Sequence, residues 1–412
     1  MPNRRHWFSQ IAPGILLAAT GVGAGDILTT SLAGSEVGLV LMWTVVAGAI
    51  LKFTLGEGIA RWQLATGSTV LEGWALRLGS WIRWLFFAYL LLFTLSVGSA
   101  LISACGVAGA GFLTMGDPHT SRVFWGILHS AAGLLLAWRG SFRLFEIVMA
   151  ILAGTMFFAV VLTAIAIGPD YGAVAAGFVP SIPAQGSSWV LAVLGGVGGT
   201  VTLLSYGYWI REEGRSGLAD VRVCRLDLTL GNGMTAIFGL GALIIGSRLD
   251  LEGQGAVLAT QLADQLAGVV GPWGKWLFLA GFWGAVFSSL LGVWQSIPYL
   301  FADFFELSRI KNPGARSPNL RATRPYRAWL LFISIIPLGA LFRPVREIQL
   351  AYGIIACLFM PLLALTLLIL NNRKAWIGRE FATPRLANLV LLVGLALFSY
   401  LGVQELIGLL RA

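Results

Sequence analysis

The chain has 412 residues, of which 57% are hydrophobic and only 11% charged, with a mean hydropathy of +0.81. A soluble domain has roughly 45–50% apolar and about 25% charged residues, so the composition is that of an integral membrane protein. The net charge of +9 gives no ground for nucleic-acid binding, because the arginines gather in short loops between apolar runs, as the positive-inside bias requires. Cys105, Cys224 and Cys357 are scattered, with neither a disulfide framework nor paired metal-ligand spacing, and read as packing residues.

Taking roughly 20 apolar residues as one span, eleven spans are predicted, the first over about 11–34. It begins after Arg4 and Arg5 and continues through a helix break into a second span, so it reads as a transmembrane helix and not as a removed leader. The break is Thr20-Gly21-Val22-Gly23-Ala24-Gly25-Asp26. Each glycine gives up roughly 0.8–1.0 kcal/mol of helix propensity against alanine, which marks the place where a spanning helix unwinds. A carboxylate there costs on the order of 2.5–3.5 kcal/mol on insertion scales, and intramembrane acids mark ion or substrate pathways.

The second span runs over about 39–63. Further spans are predicted near 81–111, 121–138, 143–168, 188–210, 226–247, 273–301, 326–342, 348–370 and 388–410. With Arg4 and Arg5 inside, the inner loops hold Arg77 and Arg83, Arg139 and Arg143, Arg211 through Arg225, Arg309 through Arg327, and Arg373 through Arg385. The outer loops are poor in base except at Arg343 and Arg346. The N-terminus is therefore expected in the cytoplasm and the C-terminus outside a bacterial-type cytoplasmic membrane.

A second break, Gly195-Gly196-Val197-Gly198-Gly199-Thr200-Val201-Thr202, falls in the sixth span, and Gly196-Val197-Gly198-Gly199 echoes Gly21-Val22-Gly23-Ala24. Interrupted helices at matching positions predict an all-α, five-plus-five inverted repeat with a binding site at the membrane midplane. The first repeat covers roughly 11–168, the second 188–370, and an additional eleventh helix 388–410, all in one domain over 1–412.

With both breaks in hand, the chain resembles the Nramp family of divalent-metal transporters, which have the LeuT-type inverted-repeat fold. Ala12-Pro13-Gly14 through Ala33-Gly34, Gly38 and Trp43 follow that family's first-helix pattern, and the match continues to Ala65-Thr66-Gly67. Gly271-Pro272-Trp273 with Ser288-Ser289 resembles its eighth helix, and Leu358-Phe359-Met360-Pro361 its tenth. The departures fall on the chemistry. Where the family has Asp-Pro-Gly-Asn, this chain has Gly23-Ala24-Gly25-Asp26, which moves the one acid by three residues. The family's Met-Pro-His is Thr202-Leu203-Leu204, and its tenth-helix Gln is Phe359. Loss of the thioether implies a harder, wetter site, suited to Mn²⁺ or Mg²⁺ bound by carboxylate, hydroxyl, carbonyl and water.

The candidate metal ligands are Asp26, the backbone at Gly23, and Thr29, Thr30, Thr202 and Ser205. Asp26 alternatively caps the second half-helix, since Asp is a preferred N-cap. Lys52 and Glu57 are candidates for coupling, Lys52 in the place of a coupling cation and Glu57 in a proton path. They point about 140° apart on one helix, and the structural alternative pairs Glu57 with Arg61 at i,i+4 and Lys52 with an acid of another helix. Glu36 is a candidate for attracting cations to an outer entrance. Asp227, following Arg225, is a candidate gating or structural ion pair. His129, in the fourth span, reads as packed, and Ser288 and Ser289 as small packing residues. Trp7, Trp43, Trp81, Trp84, Trp138 and Trp376 read as interfacial anchors.

No phosphate-binding glycine loop or hydrolytic triad can be assembled, so no enzyme and no cofactor is expected, and the metal is cargo. The expected partners are the lipid bilayer and a divalent cation, with no nucleic acid and no obligate protein partner. Two alternatives stand beside the cation carrier. One is a carrier of an amino acid or amine on the same fold, with Tyr206 and Phe359 lining an apolar pocket. The other is a non-transporting sensor.

Overall fold

A computed structural model of the protein describes residues 25–139, 143–183, 186–249, 258–309 and 319–411. Gly21 and Gly23, and with them most of the first predicted break and the Gly23 ligand, lie outside the described residues, as does Trp7. All regular structure among the described residues is helical. This is the expected solution for a chain in lipid, where each backbone polar group must find its partner within the protein.

A single π-type turn, Gly25–Thr29, leads into α1 (Thr30–Val37). There follow α2 (Met42–Thr66), α3 (Ser80–Phe112), α4 (Pro118–Arg139), α5 (Arg143–Ala166), α6 (Ser187–Gly196), α7 (Leu203–Glu212) and α8 (Ala219–Gly246). The longer helices that follow are α9 (Leu258–Val270), α10 (Pro272–Arg309), α11 (Arg324–Ile335), α12 (Val345–Cys357), α13 (Phe359–Asn372) and α14 (Arg385–Arg411). Among the described residues, seven helical stretches are long and apolar enough to cross a membrane, at 26–66, 80–112, 219–246, 272–307, 324–342, 345–372 and 385–404. The sixth predicted span is two short helices, because α6 ends at Gly196 and α7 begins at Leu203.

The core is continuous through the bundle. Helix α3 packs on α4, α5 on α10, α6 on α12, and α2 on α8. Where α6 crosses α12 the backbones nearly touch: a Cβ added to Gly195 would stand 2.1 Å from the Gly353 carbonyl oxygen and 2.6 Å from the Cys357 amide nitrogen. Small residues at such crossings replace the hydrophobic drive that lipid cannot supply between helices. Outside the bundle, Asp117 opens the turn before α4, where its carboxyl accepts from the Thr120 hydroxyl and amide and the His119 amide. Those bonds, the Thr120 hydroxyl first, hold it below the ordinary carboxylate range.

Some expected anchors sit elsewhere. Trp81, Trp84 and Trp138 are exposed, as interfacial residues should be, but Trp43 is buried. Its indole N–H donates to the Ser181 carbonyl at 3.0 Å, which ties the start of α2 to the connection before α6. The three cysteines are free and buried.

The α6–α12 contact gives a direct expectation for stability. Gly195→Ala must push two backbones apart and should cost about 1–3 kcal/mol, read as a lower melting temperature in detergent. Gly154→Ala, where nothing lies within 4 Å of the added methyl, should leave the melting temperature unchanged or slightly raised.

Candidate functional site

The centre of the molecule is the interruption between α6 and α7. Val197 leaves α6 with an extended backbone (φ −73°, ψ 122°), and Gly198 takes φ +68°, a left-handed conformation that a side chain would resist. Residues 197–202 are therefore unwound. Their freed amide and carbonyl groups must find partners inside the protein.

Two charged side chains supply them. Asp26, wholly buried, accepts a hydrogen bond on Oδ1 from the Gly198 amide at 2.8 Å. Lys52, from the middle of α2 and 2% exposed, donates through Nζ to the carbonyls of Gly195 at 3.2 Å, of Val197, and of Gly198 at 2.8 Å. The Gly198 residue is thus held by its N–H on the acid and by its carbonyl on the base. Three ammonium donors meet three carbonyl acceptors at the C-terminal end of α6, where the helix dipole is negative. Lys52 was expected either to pair with an acid of another helix or to stand in a coupling cation's place. Its hydrogen bonds go to backbone oxygens, and Asp26 accepts from the amide of the same Gly198.

Asp26 lies inside the first turn of the helical segment Gly25–Thr29, not before it as an N-cap would. Its own carbonyl accepts from the Thr30 hydroxyl, so Thr30 is engaged along its own helix. Thr29 differs: its hydroxyl is buried without a hydrogen-bond partner and packs against Gly196, 3.4 Å from where a Cβ would be. Thr202 and Ser205 are buried at the start of α7, with the Ser205 amide donating to the Thr202 carbonyl at 2.9 Å. Thr200, inside the unwound stretch, also has a buried, unpartnered hydroxyl and was not among the expected ligands. Which threonine of the stretch keeps its oxygen unused depends on the backbone path after Gly198, and residue type alone carries no signal for it. Among the described residues, no group of three or more His, Cys, Asp or Glu side chains converges as metal ligands. A cation here would rest on one carboxylate with hydroxyl, carbonyl and water oxygens.

The remaining charged candidates sit toward the ends. Glu57 accepts from Arg61 at 2.9 Å, the predicted i,i+4 pair, and from Arg225 of α8 at 2.7 Å. Arg61 also donates to the Phe381 carbonyl at 3.2 Å. Asp227 does not pair with Arg225: it meets Arg215 at 2.5 Å and the Tyr206 hydroxyl at 3.4 Å. Asp227 thus stands in an ion pair, and its partner is Arg215, while Arg225, two residues before it on α8, faces Glu57. Arg211 binds Glu72 at 2.7 Å, and Tyr208 donates to the buried Asp303 at 2.5 Å. All of these lie at the end of the bundle that carries the α7–α8 connection. At the opposite end, Glu36 pairs with Arg346 at 2.6 Å, with side chains 36% and 43% exposed, so it is an ion-pair partner there.

The other expectations fall on packing. His129 accepts on Nε2 from the Trp283 indole at 2.7 Å and lies 2.7 Å from the Trp125 carbonyl through Nδ1, as a packed histidine should. Ser288 donates to the Ala285 carbonyl at 2.9 Å, whereas the buried Ser289 hydroxyl has no partner. Phe359 stacks on Tyr89 with ring centroids 5.5 Å apart, and Tyr206 is bound into the Asp227 network. Those two aromatics occupy separate environments, contrary to a shared apolar pocket.

Comparisons with known proteins accord with this architecture. A family model described as Nramp, natural resistance-associated macrophage protein-like, matches residues 14–408. An uncharacterized protein of Pasteurella multocida (strain Pm70) is 26% identical over 291 residues, covering 66% of this chain and 64% of that protein. The chain thus spans less than two thirds of that relative's length. Among solved structures, a variant of the Eremococcus coleocola manganese transporter superposes with a TM-score of 0.73 at 16% identity, covering 98% of this chain and 88% of that one. MhsT in complex with L-phenylalanine superposes with a TM-score of 0.52 at 14% identity, over 97% of this chain and 99% of that one. These likenesses are in fold.

The two kinds of ion pair should respond differently to removal of the acid. Asp227→Ala removes one partner of a buried ion pair, whose side chains are 7% and 0% exposed, and should cost about 3–5 kcal/mol. Glu36→Ala breaks an exposed pair and should cost under about 1 kcal/mol. Melting temperatures of the two variants in the same detergent check the contrast.

Proposed function

The chain belongs to the Nramp family, and from that premise we propose that it is a carrier of hard divalent cations, Mn²⁺ or Mg²⁺, that works by alternating access around Asp26. The family is one of transporters, and the protein is a multi-pass membrane protein and not an enzyme. The observation that carries the proposal is the wholly buried Asp26 carboxylate bonded across to the α6–α7 break, where the Thr29 hydroxyl, against Gly196, and the Thr200 hydroxyl, within the break, are buried without hydrogen-bond partners among the described residues. A carboxylate offers about four lone-pair sites, and it is the oxygen donor that a hard divalent cation takes. Lys52 neutralises the carbonyl end of α6, and Asp26 supplies the carboxylate of the site. Oxygen donors without a thioether favour hard ions.

The ends of the bundle support the two-sided mechanism. With the N-terminus inside, the buried Glu57–Arg61 and Asp227–Arg215 pairs, with the half-exposed Arg225 on Glu57, seal the cytoplasmic end, and the exposed Glu36–Arg346 pair ties the outer end. The two repeats, roughly 11–168 and 188–370, move against each other around the fixed site. His129 and Glu57 are committed to hydrogen bonds and ion pairs, so cation entry follows the ion's own gradient and the membrane potential. The potential contributes about 2.3 kcal/mol per charge per 100 mV.

Uptake of Mn²⁺ and Mg²⁺ into proteoliposomes, with internal pH followed, tests the proposal. Wild type should show saturable uptake without acidification, and Asp26→Ala should lose it while eluting as a single symmetric peak. Equal uptake by the variant would remove Asp26 from the site. Absence of uptake of either ion by the wild type would refute a cation carrier.

A further inference from the structure

Lys52 neutralises the carbonyl end of α6. Its surroundings are more specific than that task requires. Three backbone oxygens, those of Gly195, Val197 and Gly198, converge on one buried Nζ. Gly198, at φ +68°, turns the chain so that carbonyls of consecutive residues face the same point. Carbonyl oxygens gathered where a half-helix ends are the ligand set of an alkali cation in membrane proteins. The methylene stem of Lys52 and the Thr235 methyl close this point on one side, 3.5 Å and 3.3 Å from where a Gly198 Cβ would stand. The buried Thr29 and Thr200 hydroxyls, without partners, are further oxygens of the same region.

We propose that the Lys52 ammonium is a tethered monovalent cation: it occupies a carbonyl-lined cation site at the C-terminal end of α6, and its removal opens that site to Na⁺ or K⁺. The physical basis is charge and ligand type. An ammonium and an alkali ion are both compact monovalent cations satisfied by carbonyl oxygens, and the negative end of the α6 dipole attracts either one. Covalent attachment to α2 keeps the ammonium at the site at any salt concentration, so the wild-type break is complete without a dissolved ion. The inference concerns the break itself and does not depend on what Asp26 carries.

The test is thermal unfolding of the purified full chain in NaCl, KCl and choline chloride at equal ionic strength, for wild type, Lys52→Ala and Lys52→Arg. Wild type should melt at the same temperature in all three salts. Lys52→Ala should melt lower than wild type in choline and be raised by Na⁺ or K⁺ by about 2 °C or more, saturably, as expected of an ion that binds only the folded state. Lys52→Arg, which keeps the charge, should remain insensitive to the alkali ion. A salt response of Lys52→Ala equal to that of wild type would overturn the proposal, as would a wild type that itself requires Na⁺ or K⁺. Aggregation of Lys52→Ala in all three salts would also overturn it, since the amine would then be a brace with no ion able to replace it. Uptake plays no part in these measurements, so failure of the carrier reading and failure of this one are separately visible.

Discussion

Where α6 stops at Gly196, a run of backbone amides and carbonyls is left at the centre of a protein that lipid surrounds, and the architecture depends on satisfying them. Water is not there to do so, and each unpaired group would cost several kcal/mol. The chain answers with opposite charges on one residue: Asp26 takes the Gly198 amide, and Lys52 takes the carbonyls on either side of the turn. Each charge would be expensive to bury alone. Together, with the peptide dipoles between them, they make a largely neutral arrangement that holds an irregular backbone open.

That arrangement fixes what packs around it. Helix α2 must carry Lys52 through its middle, so its next charged residues fall a turn or two later, where Glu57 and Arg61 meet Arg225. Helix α6 must lie close enough to α12 for Gly195 to meet Gly353, which brings the tenth-helix region against the break. The consequence is a division of labour along the membrane normal. Ion pairs built on buried acids hold one end, the exposed Glu36–Arg346 pair ties α1 to α12 at the other, and the centre holds the Asp26 carboxylate. A carrier needs such a gradient of constraint, because the contacts that open must be weaker than the contacts that pivot.

Much of the chemistry was legible residue by residue. The glycine run at 195–199 marked the interruption, since three or more glycines within an apolar span remove both helix propensity and side-chain packing. Asp26 stood out because an acid at that depth needs a reason. Glu57 with Arg61 followed from helical spacing. Pairing across helices was less accessible. Asp227 reads from sequence as an ion-pair residue without its partner being named, and a spacing of two residues on a helix turns Arg225 and Asp227 toward different neighbours. Lys52 could be recognised as anomalous, but its backbone acceptors carry no residue-type signature at all. The same holds for Thr200, whose unused oxygen reflects the path of the chain after Gly198.

The sequence by itself determined that the protein spans a membrane through many helices, that two apolar spans carry similar glycine runs, and that Asp26, Lys52 and Glu57 fall within apolar spans. These follow from composition, periodicity and the cost of charge in hydrocarbon, which are properties of residues one at a time. Only the tertiary structure decided that Asp26 and Lys52 meet on Gly198, and that Arg215 rather than Arg225 holds Asp227. It alone also decided that Trp43 is buried against Ser181. Each of these is a matter of which way a helix is rotated when it meets its neighbour. In a bundle whose helices are apolar on nearly every face, no hydrophobic stripe announces that rotation beforehand.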